Sequence, residues 1–176
     1  TEERAAELGW QQRETDWRKA VCRPDIDVVD VSAYDSLHYP IAKEALLQGK
    51  HVICEKPLAD SAEQAEELLS LARTRGLINA VCLNYRYMPA VQSIAKLIAE
   101  GELGEIRHVR CAFTMDWAVN TESPMNWRLN DSLSPGGVLG DLGTHLVDLC
   151  RYFGLNFTEV CGVCEVYGRR RPSGDG

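Results

Sequence analysis

Short apolar runs alternate with amphipathic stretches in the first half of the chain, and this alternation constrains the fold more than any other feature. Residues 27–31, 51–54 and 77–83 are short and largely apolar, as expected of strands. Residues 37–47 and 61–75 instead repeat apolar side chains with helical spacing. Strands joined by helices of about 10–15 residues indicate right-handed crossovers. The pattern therefore predicts an α/β fold with a mostly parallel sheet and helices on both of its faces.

The pattern changes near residue 84, which predicts one domain over residues 1–84 and a second over residues 85–176. In the second domain, alternation of apolar and polar side chains predicts a long strand with one packed face and one face toward water or a partner. The predicted elements are helices at 89–100 and 139–152 and strands at 109–117 and 160–167.

The composition of the 176 residues excludes two classes of protein. The 26 acidic and 19 basic side chains give a formal net charge of −7, which argues against a protein that reads nucleic acid through bulk charge. No uninterrupted apolar run approaches the roughly 18 residues that a membrane-spanning helix needs. We therefore expect a globular protein whose partners are neither nucleic acid nor membrane.

The seven cysteines are dispersed among apolar neighbours, and their number is odd. This pattern predicts reduced core thiols rather than a disulfide framework. Cys161 and Cys164 form a lone Cys-x-x-Cys, but residues three apart on a strand face opposite sides, so both are predicted to be core side chains. Since the chain opens without a basic and apolar leader, we expect a cytoplasmic protein.

The first motif with chemical potential is Glu55-Lys56-Pro57, which follows the predicted strand at 51–54. The carboxyl ends of parallel strands are the edge at which ligands bind in open α/β sheets. Pro57 favours an extended backbone at Lys56 and so fixes the direction in which the ammonium leaves the strand. The alternative is a solvated surface lysine before a turn.

The second motif pairs Asp141 with His145 in a helical, glycine-rich run. At i and i+4 of a helix the two side chains share one face, so the carboxylate could orient the imidazole. Such a histidine is suited to taking a proton from a hydroxyl group. A metal site is disfavoured because only two ligands are visible where a catalytic zinc site usually has three, and a structural bridge to a neighbouring element is the other alternative.

Aromatic side chains near this helix are candidates for contact with a sugar-sized molecule, because aromatic rings pack against C–H surfaces. Tyr85 follows the third predicted strand, and Trp127 and Arg128 lie in the loop before the helical run. These three residues are the predicted substrate contacts, with simple burial of the rings as the alternative.

Together these motifs resemble one family. Glu55-Lys56-Pro57, then Asn84-Tyr85-Arg86 after the next strand, then Gly-Gly-x-x-x-Asp-x-Gly-x-His-x-x-Asp from Gly136 to Asp148 resemble the Gfo/Idh/MocA family of nicotinamide-dependent oxidoreductases. Their order and spacing are far more specific than any single motif, and the resemblance covers nearly the whole chain.

The resemblance implies roles for individual residues. It implies that Lys56, Asp141 and His145 form the catalytic group, with His145 accepting the proton. It implies a nicotinamide cofactor, NAD or NADP, contacted by Ser32, Asp35, His38, Glu55, Lys56 and Asn84. Asp35 departs from the asparagine that is common at this place in the family.

The fold implied by the resemblance is a partial Rossmann-like parallel sheet followed by an α+β domain with an open, largely antiparallel sheet. In the family that sheet often packs against a second subunit, which implies a homo-oligomer, and packing within the same chain is the alternative. A Gly-x-Gly-x-x-Gly turn for the pyrophosphate occurs nowhere in this sequence. The expectation is therefore a piece of a longer enzyme, without the glycine-rich turn at one end and the end of the second sheet at the other.

The function implied is hydride transfer between nicotinamide and a hydroxyl-bearing carbon of a sugar, cyclitol or related polyol. Two alternatives stay open. One is NAD-dependent glycoside hydrolysis on the same fold, which uses transient oxidation and yields no net NADH. The other is a truncated, non-catalytic binding module, which the missing glycine-rich turn favours and the complete set of Lys56, Asp141 and His145 disfavours.

Overall fold

The computed structural model describes residues 2–130 and 132–165, which form two compact units. Unit 1 comprises Thr1–Ala33 and Leu37–Val81, and unit 2 comprises Tyr34–Ser36 and Cys82–Gly176. No helix in this described part of the chain is long and apolar enough to cross a membrane.

The strands of unit 1 form a three-stranded parallel sheet in the order β1-β2-β3. They are β1 (Val28–Val31), β2 (His51–Cys54) and β3 (Asn79–Val81). In the register of the sheet, Val29 pairs with Val52 and Ile53 pairs with Ala80. The parallel sheet predicted from the alternation is therefore confirmed.

Helices connect these strands and precede the first of them. They are α1 (Glu2–Glu7), α2 (Trp17–Val21), α3 (Asp35–Leu47) and α4 (Ala62–Arg75). The amino end of α4 is capped by Ser61, whose hydroxyl oxygen accepts the backbone N–H of Gln64 at 3.3 Å. Its carboxyl end closes at Gly76, which has φ 65° and so adopts the left-handed conformation that glycine tolerates best.

The core of unit 1 lies between the sheet and its connecting helices. Its buried members are Val21, Val31, Ile41, Ala42, Ala45, Leu46, Val52, Cys54, Leu68 and Ala72. Both crossovers run in the same direction across the sheet, which places α3 and α4 on one face. Ile53 points to the opposite face and is 40% exposed. The prediction of helices on both faces is therefore wrong for α3 and α4. Two right-handed crossovers that continue in the same direction, from β1 to β2 and from β2 to β3, place their helices on the same face of the sheet.

Unit 2 contains helices and helical turns separated by irregular segments. Its described elements are a 3₁₀ turn (Asn84–Tyr87), α5 (Pro89–Ala99), a second 3₁₀ turn (Trp127–Leu129), a π-helical turn (Leu139–Gly143) and α6 (Thr144–Tyr152). Pro89 occupies the first turn of α5, where its missing N–H leaves no helical hydrogen bond unmade.

The two strands predicted in unit 2 are absent from its described residues. Residues 109–117 and 160–165 are neither helix nor strand, and residues 166–167 lie outside the described part of the chain. Alternating apolar and polar side chains indicate a segment with two different faces. A β-strand also needs a neighbouring strand to pair with its backbone N–H and C=O groups. The open, largely antiparallel sheet is therefore not seen among the residues described.

All seven cysteines are free, as their odd and dispersed distribution predicts. Their predicted place in the core is wrong for several of them. Cys54 is buried in β2, whereas Cys161 and Cys164 are exposed. Their neighbours Val160 and Val163 are each 88% exposed, so this segment contributes no core to the described part of unit 2.

Candidate functional site

The carboxyl edge of the sheet in unit 1 carries three of the predicted cofactor contacts. Ser32 follows β1, and its exposed hydroxyl donates to Asp30 Oδ1 at 3.0 Å. Glu55 follows β2, and its backbone N–H donates to Val31 O at 2.9 Å, which continues the strand pairing past the end of β2. Lys56 comes next and is half-buried. The sheet therefore brings a hydroxyl, a carboxylate and an ammonium group to one edge.

His38 lies beneath this edge and is only 1% exposed. Its Nδ1 is 2.6 Å from Pro57 O, and its Nε2 is 3.2 Å from Ala33 O. Both ring nitrogens therefore face backbone carbonyls. Ala33 follows β1, and Pro57 follows β2. The predicted contact of His38 with a cofactor stays a prediction. In the structure its ring links the segments that follow β1 and β2, next to Lys56.

The groups at this edge fit a dinucleotide. A nicotinamide riboside presents hydroxyl groups and a carboxamide, which pair with carboxylate acceptors and with hydroxyl or ammonium donors. Ser32, Glu55 and Lys56 supply these at the strand ends where such ligands bind in α/β sheets. Asn84, the remaining predicted contact, is exposed at the start of the first 3₁₀ turn of unit 2.

In unit 2 the imidazole of His145 is enclosed by aromatic rings. His145 is 7% exposed, near the start of α6. The Tyr85 ring stacks on it with centroids 4.2 Å apart and planes 11° from parallel, and the Phe113 ring lies 6.5 Å away. The sequence predicts Tyr85 as a substrate contact but does not predict a role for Phe113. In the sequence, Phe113 is distinguished only as one of the apolar residues that alternate with polar ones over residues 109–117. The rings shield the imidazole from water.

The predicted pair Asp141 and His145 lies at the junction of two kinds of helix. Asp141 sits in the π-helical turn, in which the N–H of Thr144 donates to Leu139 O five residues earlier. His145 sits in the regular helix that follows. The α-helical spacing expected between the two is therefore widened at Asp141, and π-helical turns of this kind are frequent at functional sites.

Arg128 lies against the candidate catalytic carboxylate. Its Nε is 3.6 Å from Asp141 Oδ1, and its guanidinium carbon lies 4.2 Å from the centroid of the Trp127 ring. The Asp141 side chain is 15% exposed. The structure thus brings together two predicted substrate contacts and one predicted catalytic residue.

A partly buried ion pair that the sequence analysis did not predict anchors the residue that follows Tyr85. Arg86 Nε donates to Asp148 Oδ2 at 2.8 Å, and its Nη2 donates to the other oxygen of the same carboxylate. The Asp148 side chain is 8% exposed, and its hydrogen bonds raise the pKa of the Arg86 guanidinium. The signal was present in the sequence, because Asp148 closes the motif and follows His145 by one helical turn.

Gly136 marks a close backbone approach in front of the π-helical turn. A Cβ at this position would lie 2.9 Å from Gly140 Cα, and the Gly140 N–H donates to Gly136 O at 2.8 Å. We expect Gly136→Ala to lower the free energy of unfolding of unit 2 by about 1–3 kcal/mol, because backbone atoms cannot yield as a side chain can. Urea unfolding monitored by circular dichroism measures this.

Gly143→Ala is the matched control for Gly136→Ala. A Cβ at Gly143 would meet Leu139 Cδ1 at 2.5 Å, but this is the end of a flexible side chain that is 68% exposed. We expect a change below about 1 kcal/mol. Equal destabilisation by the two variants would contradict the backbone contact as the cause.

Within the described residues, no group of three or more histidine, cysteine, aspartate or glutamate side chains is placed to hold a metal ion. Asp35, the remaining predicted cofactor contact, is 5% exposed and accepts a hydrogen bond from Ser134.

Comparison with known proteins places nearly the whole chain in one family. Residues 1–83 match the family model of the NAD-binding Rossmann fold of the Gfo/Idh/MocA oxidoreductases, and residues 91–175 match that of the Gfo/Idh/MocA C-terminal domain. Levoglucosan dehydrogenase of Pseudarthrobacter phenanthrenivorans is 37% identical over 170 residues, which are 97% of this chain and 44% of that protein. The chain thus spans about half the length of the curated relatives it matches.

Solved structures agree with these matches. The structure of levoglucosan dehydrogenase in complex with NADH and levoglucosan has a TM-score of 0.93 and 37% identity, covering 99% of this chain and 47% of that one. An oxidoreductase domain protein from Kribbella flavida has a TM-score of 0.91 and 40% identity, covering 96% of this chain and 46% of that one. The chain belongs to the Gfo/Idh/MocA family of oxidoreductases.

Proposed function

We propose that the protein carrying this chain is an NAD(P)-dependent dehydrogenase that acts on a CH–OH group of a sugar, cyclitol or related polyol. The observation that carries the proposal is His145, a buried imidazole stacked on Tyr85, one turn after Asp141 in a chain of this family. A histidine is suited to accept a hydroxyl proton near neutral pH, and the stacked ring fixes its orientation.

We propose that His145, Lys56 and Asp141 act together on one hydroxyl group of the substrate. His145 takes the proton from the substrate hydroxyl as the carbon loses its hydride. Lys56 donates a hydrogen bond to the same oxygen and stabilises the negative charge that develops on it. Asp141, which lies 3.6 Å from Arg128, orients the imidazole in this proposal.

The cofactor, when bound, supplies the acceptor or donor of the hydride. We propose that Ser32, Glu55, Lys56 and Asn84 contact it, because their polar side chains are exposed or half-buried. Asp35 and His38, the other two predicted contacts, are buried and bonded to protein atoms.

The substrate class follows from the side chains around the proposed base. Tyr85 and Trp127 offer aromatic faces that pack against the C–H surfaces of a sugar ring, and Arg128 offers donors to its hydroxyl groups. Both Trp127 and Arg128 are half-buried. The name of the levoglucosan dehydrogenase relative agrees with a neutral sugar or anhydrosugar.

Two further properties belong to this proposal. We propose a homo-oligomer formed through the C-terminal domain, supported by exposed apolar side chains such as Val109, Met115, Val160 and Val163. We propose a cytoplasmic location, supported by seven free cysteines, since thiols stay reduced in that compartment.

A screen for reduced nicotinamide tests the proposed function. The protein is mixed with NAD or NADP and with sugars, anhydrosugars, glycosides and cyclitols, and absorbance of the reduced cofactor is followed while products are separated by chromatography. We expect stoichiometric reduced cofactor and a ketone or lactone product with at least one neutral polyol. Cleaved glycoside without net reduced cofactor would establish the hydrolase instead, and cofactor binding without turnover on any of these compounds would support a binding module.

A further inference from the structure

A buried hydrogen bond joins two distant segments of unit 2. The hydroxyl of Ser134 donates to Asp35 Oδ2 at 2.5 Å, across 99 residues of chain. Ser134 is 0% exposed and Asp35 is 5% exposed. A carboxylate removed from water is stable only when polar partners replace its hydration, so this contact is a requirement of the fold at Asp35.

The residues on either side of Asp35 reinforce the contact. The backbone N–H of Ser36 donates to Leu133 O at 3.2 Å, and the Tyr34 ring lies 5.4 Å from the Trp127 ring, tilted by 58°. Three consecutive residues therefore contact the segment formed by residues 126–130 and 132–134.

That segment is internally bonded. The side-chain oxygen of Asn126 accepts the N–H of Arg128 at 3.0 Å, and the N–H of Ser134 donates to Asn130 O at 2.9 Å. One end of the segment is fixed at Asp35, and the other presents Arg128 at 3.6 Å from Asp141. A displacement at Ser134 is therefore transmitted to Trp127 and Arg128.

We propose that Asp35 is a positioning residue, which through Ser134 sets the placement of Trp127 and Arg128 and so the binding of the sugar. The inference rests on the proposed function, because it takes Trp127 and Arg128 as substrate contacts. It replaces direct contact with the cofactor as the role of Asp35.

Kinetics of Asp35→Ala and Asp35→Asn test the proposal. We expect Asp35→Ala to lower kcat/KM for the sugar on the order of 10²-fold, mainly through KM, because a displacement of about 1 Å has such effects on positioning. The dissociation constant of NAD stays within about twofold of wild type. Asp35→Asn restores most of kcat/KM, because the amide oxygen still accepts from the Ser134 hydroxyl.

The controls separate positioning from other roles. Asp27→Ala removes an exposed carboxylate at the other end of β1 and leaves both constants unchanged. Ser134→Ala matches Asp35→Ala, and the double variant is no worse than either single one, as expected of partners in one hydrogen bond. A weaker NAD affinity with unchanged sugar KM in Asp35→Ala would overturn the proposal and restore Asp35 as a cofactor contact.

The coupling between Asp35 and the 126–134 segment can also be measured without catalytic turnover, so that its test does not depend on the proposed function. Hydrogen exchange followed by mass spectrometry reports the protection of the 126–134 segment. We expect faster exchange there in Asp35→Ala and Ser134→Ala than in wild type, Asp35→Asn or Asp27→Ala. Unchanged exchange in both alanine variants would overturn the coupling, whereas a wild-type protein without dehydrogenase activity would contradict the proposed function alone.

Discussion

His145→Gln is expected to lower kcat on the order of 10²–10⁴-fold while leaving the affinity for NAD or NADP close to wild type. Glutamine fills much of the space beside Tyr85, so the packing around position 145 is largely kept, but its amide cannot accept and return a proton. Lys56→Met is expected to lower kcat by about 10²–10³-fold, because it removes a donor to the oxygen on which charge develops. Steady-state kinetics with the sugar found in the screen measure both effects.

Matched controls exist for these two variants. His108 and Lys19 are exposed, and neither belongs to the proposed site. We expect His108→Gln and Lys19→Met to keep wild-type kcat. Turnover unchanged by both His145→Gln and Lys56→Met would contradict the catalytic assignment, and circular dichroism confirms that each variant is folded.

Arg86→Met is expected to produce the largest loss of stability, about 2–3 kcal/mol in the free energy of unfolding of unit 2. The change leaves the Asp148 carboxylate, 8% exposed, without the guanidinium that contacts both of its oxygens. This loss is smaller than the roughly 3–5 kcal/mol expected when a fully buried pair is broken, because Arg86 itself is 40% exposed. Release of the turn that carries Tyr85 should also free the imidazole of His145 from its stacked ring.

Two comparisons identify the uncompensated charge as the cause. Arg86→Met combined with Asp148→Leu should recover much of the lost stability, because no charge then remains buried. Lys96→Met, which breaks an exposed pair with Glu100, should change the free energy of unfolding by less than about 1 kcal/mol. If the double variant is less stable than Arg86→Met, burial of Asp148 is not the origin of the effect.

The strands and helices of unit 1 could be predicted because their determinants are local. The apolar run of β2 and the Ser61 cap of α4 each lie within a few residues of what they specify. The strand predicted at 109–117 illustrates the limit, because its alternation says nothing about a pairing partner. The π-helical turn could not be predicted either. The spacing of apolar residues does not show whether the carbonyl of Leu139 accepts a hydrogen bond from the residue four positions or five positions later.

The candidate site was predictable in its residue types and only partly in their contacts. The spacing of Asp141 and His145 drew attention to the helix that carries both. The partners of His38 lie 5 and 19 residues away, and the partner of Asp35 lies 99 residues away. No local sequence pattern predicts such long-range contacts, and the cofactor contacts that the family resemblance implied for both residues stay predictions.

In a hydride transfer the hydrogen moves from the sugar carbon to the nicotinamide, so its fate tests the proposed reaction. The protein is incubated with NAD or NADP and a reactive sugar that carries deuterium on its carbons, and the reduced nicotinamide is examined by mass spectrometry. We expect deuterium in the nicotinamide ring, and none when unlabelled sugar reacts in deuterated water. Reduced cofactor that carries hydrogen from solvent, or no reduced cofactor with any compound of the class, would contradict hydride transfer from the sugar.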